Sequence, residues 1–492
     1  MRLHSVFILL AALALAACER PERFVESGSV DLWPTDTVKF DTIFATLASP
    51  TQRVYLYNTT GKALRIRRVA LRGTASSPFR LTLDGVAGQE HRNIELARGD
   101  SLIAFLTART DTRTGDHDLA DEFIVETENG TTSRPVVAHV FDAYVLQSPS
   151  PELVRRLGCD TTFTRDKPIV IDGPVGVAEG CTLTIEAGTR LYFTSLRSNR
   201  FGFYTSLLQV EGTLRVNEQG GDTVVFSNAR LTKAYRAAPG QWGGVFFTRT
   251  SQGSVVRRAL IENASIGLRV DSIVGGGSLE PRLTVYDTEI RNMANFAILA
   301  VGAAQFDVQG SEPPSLRAWN VLAYNTGQSV VGVAYGGHCE FYHCTFYNPR
   351  TIGGARSEPC LGVNNFLRGE GGRVQTYPTR LVLVNSIAWG TGREELGLSL
   401  AAGSPVAANL SHNLLRTERA ATDLPPGTGN RLNDDPQLRN PRARDFGLGA
   451  ESPARGLGLP LDQLPRLPGV ERDFAGQPRT NPPDAGAFQH RP

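Results

Sequence analysis

What this chain lacks narrows it before any motif is read. Its formal net charge is only +2, so it has no broad basic field of the kind that draws in nucleic acid. Lysine stands only at Lys39, Lys62, Lys167 and Lys233. Arginine supplies the remaining positive charge, a skew that reads as genomic base composition rather than function. No stretch of helical length after residue 18 shows a 3.6-residue apolar period, which argues against a helical architecture. No later apolar run approaches the roughly 20 residues of a spanning helix. No cofactor-binding motif is present, and no Asn-Thr-Asp, Gly-His-Gly or Arg-Ile-Lys series of the polygalacturonase type occurs.

What is there begins at the N-terminus. Met1-Arg-Leu-His is short and basic, residues 5–17 are almost wholly apolar, and Leu15-Ala16-Ala17-Cys18 closes the run. A dozen apolar residues suit the h-region of a signal peptide better than a membrane span. The final four have the pattern of a bacterial lipobox. The expectation is cleavage before Cys18, lipidation of Cys18 and membrane attachment through two or three acyl chains, each buried methylene contributing about 0.8 kcal/mol. The protein is therefore expected in a bacterial cell envelope, as an outer-membrane lipoprotein facing either the periplasm or the exterior, with residues 19–35 as a tether.

With Cys18 assigned to lipid, Cys159, Cys181, Cys339, Cys344 and Cys360 remain. The number is odd, so one thiol stays free unless it pairs between chains. Cys159 and Cys181 lie 22 residues apart, about one turn of a solenoid coil, which would stack them. A bridge there contributes on the order of 3 kcal/mol. Cys339 and Cys360 are a second candidate pair.

Fifty glycines and 29 prolines, with abundant Val, Leu, Thr and Asn, point to strands and turns. Residues 36–148 read as short alternating strands, among them 53–57, 64–71, 79–83, 101–107, 122–126 and 136–140. Turn signals fall at Asn58-Thr-Thr-Gly61, Arg98-Gly-Asp100 and Glu128-Asn-Gly130. This is the pattern of an immunoglobulin-like β-sandwich, without the Cys…Trp…Cys core of a true immunoglobulin domain.

From about residue 151 the texture changes. Strand triplets such as Ile169-Val-Ile171, Leu183-Thr-Ile185 and Leu214-Arg-Val216 recur between Gly, Asn and Thr turns. An apolar or aromatic residue followed closely by asparagine then repeats, at Asn263, Asn292, Asn325 and Asn348. The intervals of 29, 33 and 23 residues bracket one coil of a right-handed parallel β-helix, expected over residues 151–430. A corner asparagine can adopt a left-handed backbone and hydrogen-bond the next coil. Residues 349–380, rich in Gly and Arg, are expected as a loop, and 431–492 as a closing segment. The expected fold is all-β, a sandwich followed by a β-helix solenoid.

Leu183-Thr-Ile-Glu-Ala-Gly-Thr-Arg-Leu-Tyr-Phe193, Val210-Glu-Gly-Thr-Leu214 and Gly240-Gln-Trp-Gly-Gly-Val245 resemble the opening of right-handed β-helix lipoproteins of Bacteroidetes. Asp36-Thr-Val-Lys-Phe-Asp-Thr-Ile-Phe-Ala-Thr46 is similar to the start of their sandwich domain. Asp435-Pro-Gln-Leu, Arg472-Asp-Phe-Ala-Gly-Gln-Pro-Arg479 and Pro483-Asp-Ala-Gly-Ala-Phe488 are similar to the closing segment of pectin-lyase-like surface proteins. The resemblance covers most of residues 36–490 and implies a fold and a location rather than a reaction.

The pectin-lyase-like fold often carries enzymes, and a hydrolase of this kind needs two carboxylates across the glycosidic bond. Glu262, Asp287, Glu289 and Glu340 are scattered among rungs, and no catalytic residue is assigned. In Gly337-His338-Cys339-Glu-Phe-Tyr-His343-Cys344, two His and two Cys fall within seven residues. Strand alternation places His338 with Cys344 on one face and Cys339 with His343 on the other, so the four cannot converge on a metal without a bulge. Candidate ligand-binding residues are Trp242, Tyr335, His338, Tyr342 and His343, each weighed against packing in the core or at a corner. The favoured expectation is a non-catalytic module or scaffold that binds a polysaccharide or an envelope protein. The alternative is a polysaccharide lyase or glycoside hydrolase.

Overall fold

The structure is a computed structural model that describes residues 24–25, 28–109, 114–150, 152–195, 206–271, 280–349 and 358–491. Cys18 and the signal segment lie outside the described residues. The chain divides into two compact units, Met1–Asp142 and Ala143–Pro492.

The first unit is a sandwich of a seven-stranded and a five-stranded sheet. The long strands Ala63–Leu71, His117–Thr127 and Gly130–Phe141 pair antiparallel in the larger sheet. The smaller runs in the order Val30–Trp33, Gln52–Asn58, Ser101–Ala108, Phe79–Leu83, Val86–Ala87. Alternate residues of both sheets share one core, with Val54, Leu56, Leu64, Ile66, Phe79 and Phe123 wholly buried. Two boundaries differ from expectation. The segment expected as a tether contributes strands Phe24–Val25 and Val30–Trp33 to the sandwich. Tyr144–Gln147 leaves the sandwich and pairs with Ile169–Asp172 as the first rung of the second unit. Strand Glu90–Leu96 also escapes the sequence pattern, because all but one of its side chains are at least partly exposed.

The second unit is a parallel β-helix. Its rungs visit three parallel sheets in fixed rotation: Tyr144–Gln147, Arg155–Arg156 and Thr161–Phe163, then Ile169–Asp172 returns to the first. The first sheet accumulates eleven strands, and the second and third nine each. Inward columns of Val, Leu, Ile and Phe run the length of the coil as one apolar cluster. The insertion expected as a loop is partly rung: Leu361–Asn364 is a strand of the second sheet, and Phe366–Arg368 with Val374–Thr376 forms a short hairpin.

Corners show why asparagine recurs. Asn263, Asn292 and Asn325 have φ of 65°, 57° and 59°, a left-handed backbone that Asn tolerates better than most residues. Their amides stack: Asn263 Nδ2 donates to Asn228 Oδ1 at 2.7 Å, Asn292 Nδ2 to Asn263 Oδ1 at 3.3 Å, and Asn325 Nδ2 to Asn292 Oδ1 at 2.6 Å. Asn348 is not left-handed; it sits at a strand end and bonds the backbone and hydroxyl of Thr326. At the turn from the third sheet to the first, a second left-handed column contains Arg258, Asp287, Asn320, His343, Asn385 and His412.

The C-terminal segment closes over this second column. Arg479 is buried there and donates through Nη2 to Asn320 Oδ1 at 2.7 Å. Burial lowers its pKa to about 10, against the opposing pull of Asp473 and Asp484. Those two carboxylates accept backbone N–H groups of Gln477, Gln489, Gly456 and His490. The charged residues of the closing motif thus tie the segment to itself and to the coil.

Candidate functional site

The outward face of the first sheet carries a polar constellation built across several coils. Parallel register places Glu262, Arg291, Tyr324, Tyr347 and Trp389 in one column on successive coils. Arg291 lies between two carboxylates. Its Nη2 and Nε donate to Glu262 Oε2 at 2.7 and 2.9 Å, and its Nη1 to Glu289 Oε1 at 2.6 Å. Ser227 Oγ donates to Glu262 Oε1 at 2.9 Å, and the Tyr324 hydroxyl to Glu289 Oε1 at 2.8 Å. Burial works against the Arg291 charge, but Glu289 and Glu262 outweigh it and raise the pKa. Burial, reinforced by Glu289, also raises that of Tyr324. The column continues under the closing segment, where Phe446 packs on Tyr324 and Tyr347.

A second network lies on the outward face of the third sheet. Arg317 Nε donates to Glu340 Oε2 at 2.7 Å, the Tyr342 hydroxyl lies 3.3 Å from the same oxygen, and His338 Nε2 is 3.0 Å from Glu340 Oε1. Burial alone would raise the Glu340 pKa. Hydrogen bonds from His338 and Arg317 reverse this and lower it to about 2. All three of His338, Glu340 and Tyr342 are buried.

These geometries can lock coils together. Neither glutamate of the first network is a free base: Glu262 accepts three hydrogen bonds and Glu289 two, leaving little lone-pair capacity for a substrate proton. The expectation that the rung carboxylates are scattered is corrected, since Glu262 and Glu289 share one arginine. Asp287 stands apart at a left-handed corner, where burial raises its pKa and Asn320 Nδ2 donates to it at 3.0 Å.

Of the residues singled out for ligand binding, only His338 and Tyr342 come together, on Glu340. Trp242 is 0 % exposed, stacks on Phe193 with centroids 3.8 Å apart and donates its indole N–H to the Glu262 carbonyl. Its ring face is core, unavailable to a sugar. His343 is also fully buried at its corner. Tyr335 is partly exposed, with a left-handed backbone whose N–H donates to Asn364 Oδ1. His338 and Tyr342 belong to the Glu340 network. Among the described residues, no group of three or more His, Cys, Asp or Glu side chains is placed to hold a metal ion.

Cys159 and Cys181 are disulfide-bonded. The adjoining strands explain it: Thr161 pairs with Leu183, and the same offset brings the two cysteines together at one corner. No disulfide joins Cys339 to Cys360; both thiols are buried, as is that of Cys344. Cys339 lies in a third-sheet strand, whereas Cys360 leads into a second-sheet strand, so no common register stacks them. Burial raises the thiol pKa of Cys339 and Cys344 to about 12. Alternation mispredicts Cys344, which shares the core with Cys339 because the left-handed His343 ends the strand and changes the parity. Arg291 and Arg317 were not anticipated. The signal was present: Arg291 sits 29 residues from Glu262 and Arg317 sits 23 residues from Glu340, each one coil length.

No family model and no curated protein matches this chain. Among solved structures, the chain is similar to the "ASH / PapD-like domain of human CEP192 (PapD-like domain 7)", at 12% identity and a TM-score of 0.17. The match covers 25% of this chain and 93% of that one. A likeness of this size carries no argument about function.

Proposed function

We propose that this chain is a lipoprotein of the bacterial envelope, held at the outer membrane through Cys18, whose β-helix is a non-catalytic recognition or scaffold module for a glycan or an envelope protein. The lipobox and the resemblance to Bacteroidetes β-helix lipoproteins support the location. One observation carries the non-catalytic reading: the acidic side chains of the two outward networks are all ion-paired in the native coil, Glu262 and Glu289 to the shared Arg291 and Glu340 to Arg317. Such pairing suits a rigid surface better than proton transfer. The test is a panel of polysaccharides offered to protein lacking residues 1–18, following binding and release of reducing or unsaturated ends. Binding without products is the expected result. For the location, a Cys18→Ala variant should lose the membrane fraction and the incorporation of labelled fatty acid.

A second reading rests on the same constellation. Glu262 and Glu289 flank Arg291 on one outward sheet face, and two carboxylates with a basic group are what a carbohydrate-active enzyme requires. On that reading a substrate displaces the Arg291 pairing, and products form that Glu262→Gln abolishes.

A further inference from the structure

The outer face of the five-stranded sheet of the sandwich carries exposed aromatic side chains. Val54 and Leu56 are wholly buried, so Tyr55 and Tyr57, which alternate with them, point outward. Trp33 pairs directly with Tyr55 across the adjacent strand. The three rings form a row: Trp33 meets Tyr55 edge-on with centroids 5.6 Å apart, and Tyr55 lies nearly parallel to Tyr57 at 6.0 Å. Trp33 is 56 % exposed and Tyr57 41 %. A cluster of exposed large apolar side chains on one face marks a contact surface more often than scattered ones do.

The row ends at an opening. Tyr57 lines a cleft of about 510 Å³ together with Thr59, Thr60, Arg98 and Asp100, formed where two turns meet at one end of the sheet. This joins apolar ring faces to a few polar groups, the composition of a small-molecule or saccharide subsite. Charge selects among ligands. The outward strand positions carry Asp31, Arg53 and Arg80, and the cleft carries Arg98 and Asp100, a mixture of both signs rather than a field of one. Hydroxyl groups, which donate to carboxylates and accept from guanidinium, match both signs. The C–H faces of pyranose rings match the aromatic row.

We propose that the outer face of the five-stranded sheet, along Trp33, Tyr55 and Tyr57 and into the cleft at Arg98 and Asp100, is a binding site for a neutral glycan chain. The proposal rests on the glycan reading above for its ligand class, but its site is a different one. It gives the chain a glycan contact independent of the β-helix, whose own candidate aromatics are mostly buried.

The test uses the chain from residue 19 onward in affinity electrophoresis and calorimetry with mixed-linkage β-glucan, xylan and galactomannan, and in sedimentation with phosphatidylcholine vesicles. The expected result is retention by at least one neutral glycan, weakened about tenfold or more, some 1.4 kcal/mol, in Tyr57→Ala and abolished in Trp33→Ala/Tyr57→Ala. Thermal unfolding, which reports folding of the variants, should be unchanged for Tyr57→Ala. Retention that survives the double variant and is lost in Glu262→Gln/Glu289→Gln would overturn this site while sparing the glycan reading. No retention of any glycan by the unmodified chain would overturn both. Vesicle binding without glycan retention, lost in the double variant, would assign the face to a lipid surface and overturn the proposal.

Discussion

The side-chain amide of Asn385 reaches across one coil to the ring of His343, with Nδ2 donating to Nε2 at 2.9 Å. The orientation is fixed from the other side, because the Leu459 N–H donates to Asn385 Oδ1 at 2.6 Å. Nε2 is therefore an acceptor, and a neutral ring carries its proton on Nδ1. Burial, followed by the nearby Arg479 charge, places the His343 pKa well below 6.5. The coil, the corner and the closing segment thus meet on an imidazole that must stay neutral.

Acid should loosen the fold for this reason. Below pH 6.5 the unfolded chain protonates His343 while the native chain does not, so the unfolded state binds more protons and stability drops as the pH is lowered. Burial lowers the His412 pKa too, in the same direction. Glu340 opens a lower window: its folded pKa of about 2 against 4.5 unfolded contributes stability above 4.5 that is lost as pH falls toward 2. Denaturant titrations at a series of pH values should show both slopes. His343→Asn, with the residue type used at corners 320 and 385, should make the upper slope shallower and leave the lower one intact.

Removing Arg291 should cost more than removing its partners. Arg291→Met leaves two partly buried carboxylates facing each other, and breaking a buried ion pair from one side costs about 3 kcal/mol. Adding Glu262→Gln and Glu289→Gln to that variant should recover a large part of the loss. Urea unfolding of the unmodified protein and the two variants measures it; equal destabilisation in both variants would show that the charges are not coupled.

The Cys159–Cys181 bridge closes a loop of 22 residues and should contribute roughly 3 kcal/mol. Cys159→Ala/Cys181→Ala should unfold earlier by that amount, as should the unmodified protein in reductant. Cys339, Cys344 and Cys360 should react with a thiol reagent only after unfolding, since all three are buried and reactivity follows the exposed thiolate.

At the asparagine ladder, Asn292→Ala removes one donor and one acceptor from a buried stack and should cost about 1–3 kcal/mol. Asn292→Val should cost more, because a β-branched residue is strained at φ 57°. A thermal melt ranks the two; equal loss would mean that the backbone conformation carries no weight there.

Much of the architecture is written in local pattern. The intervals between Asn263, Asn292, Asn325 and Asn348 equal the register offsets that pair Glu262 with Arg291, Arg291 with Tyr324 and Tyr324 with Tyr347. The outward networks were harder to see. Glu340 meets Arg317 at an offset of 23 residues, whereas the next coil pairs Glu340 with Val382 at 42. Variable insertions hide which side chains become neighbours until every coil is threaded. Alternation misplaced Cys344 because a left-handed corner at His343 interrupts the strand. The row of Trp33, Tyr55 and Tyr57 was hidden differently: its first member lies in a stretch that reads as a tether, and only pairing with Gln52–Asn58 brings the rings together.

The most direct test of the central claim is the polysaccharide panel with the chain from residue 19 onward, read for both retention and chain cleavage. The account predicts retention with no reducing or unsaturated ends released, and no change in retention for Glu262→Gln. Products that accumulate with the unmodified chain and disappear in Glu262→Gln would contradict it and make the Glu262–Arg291–Glu289 constellation an active site.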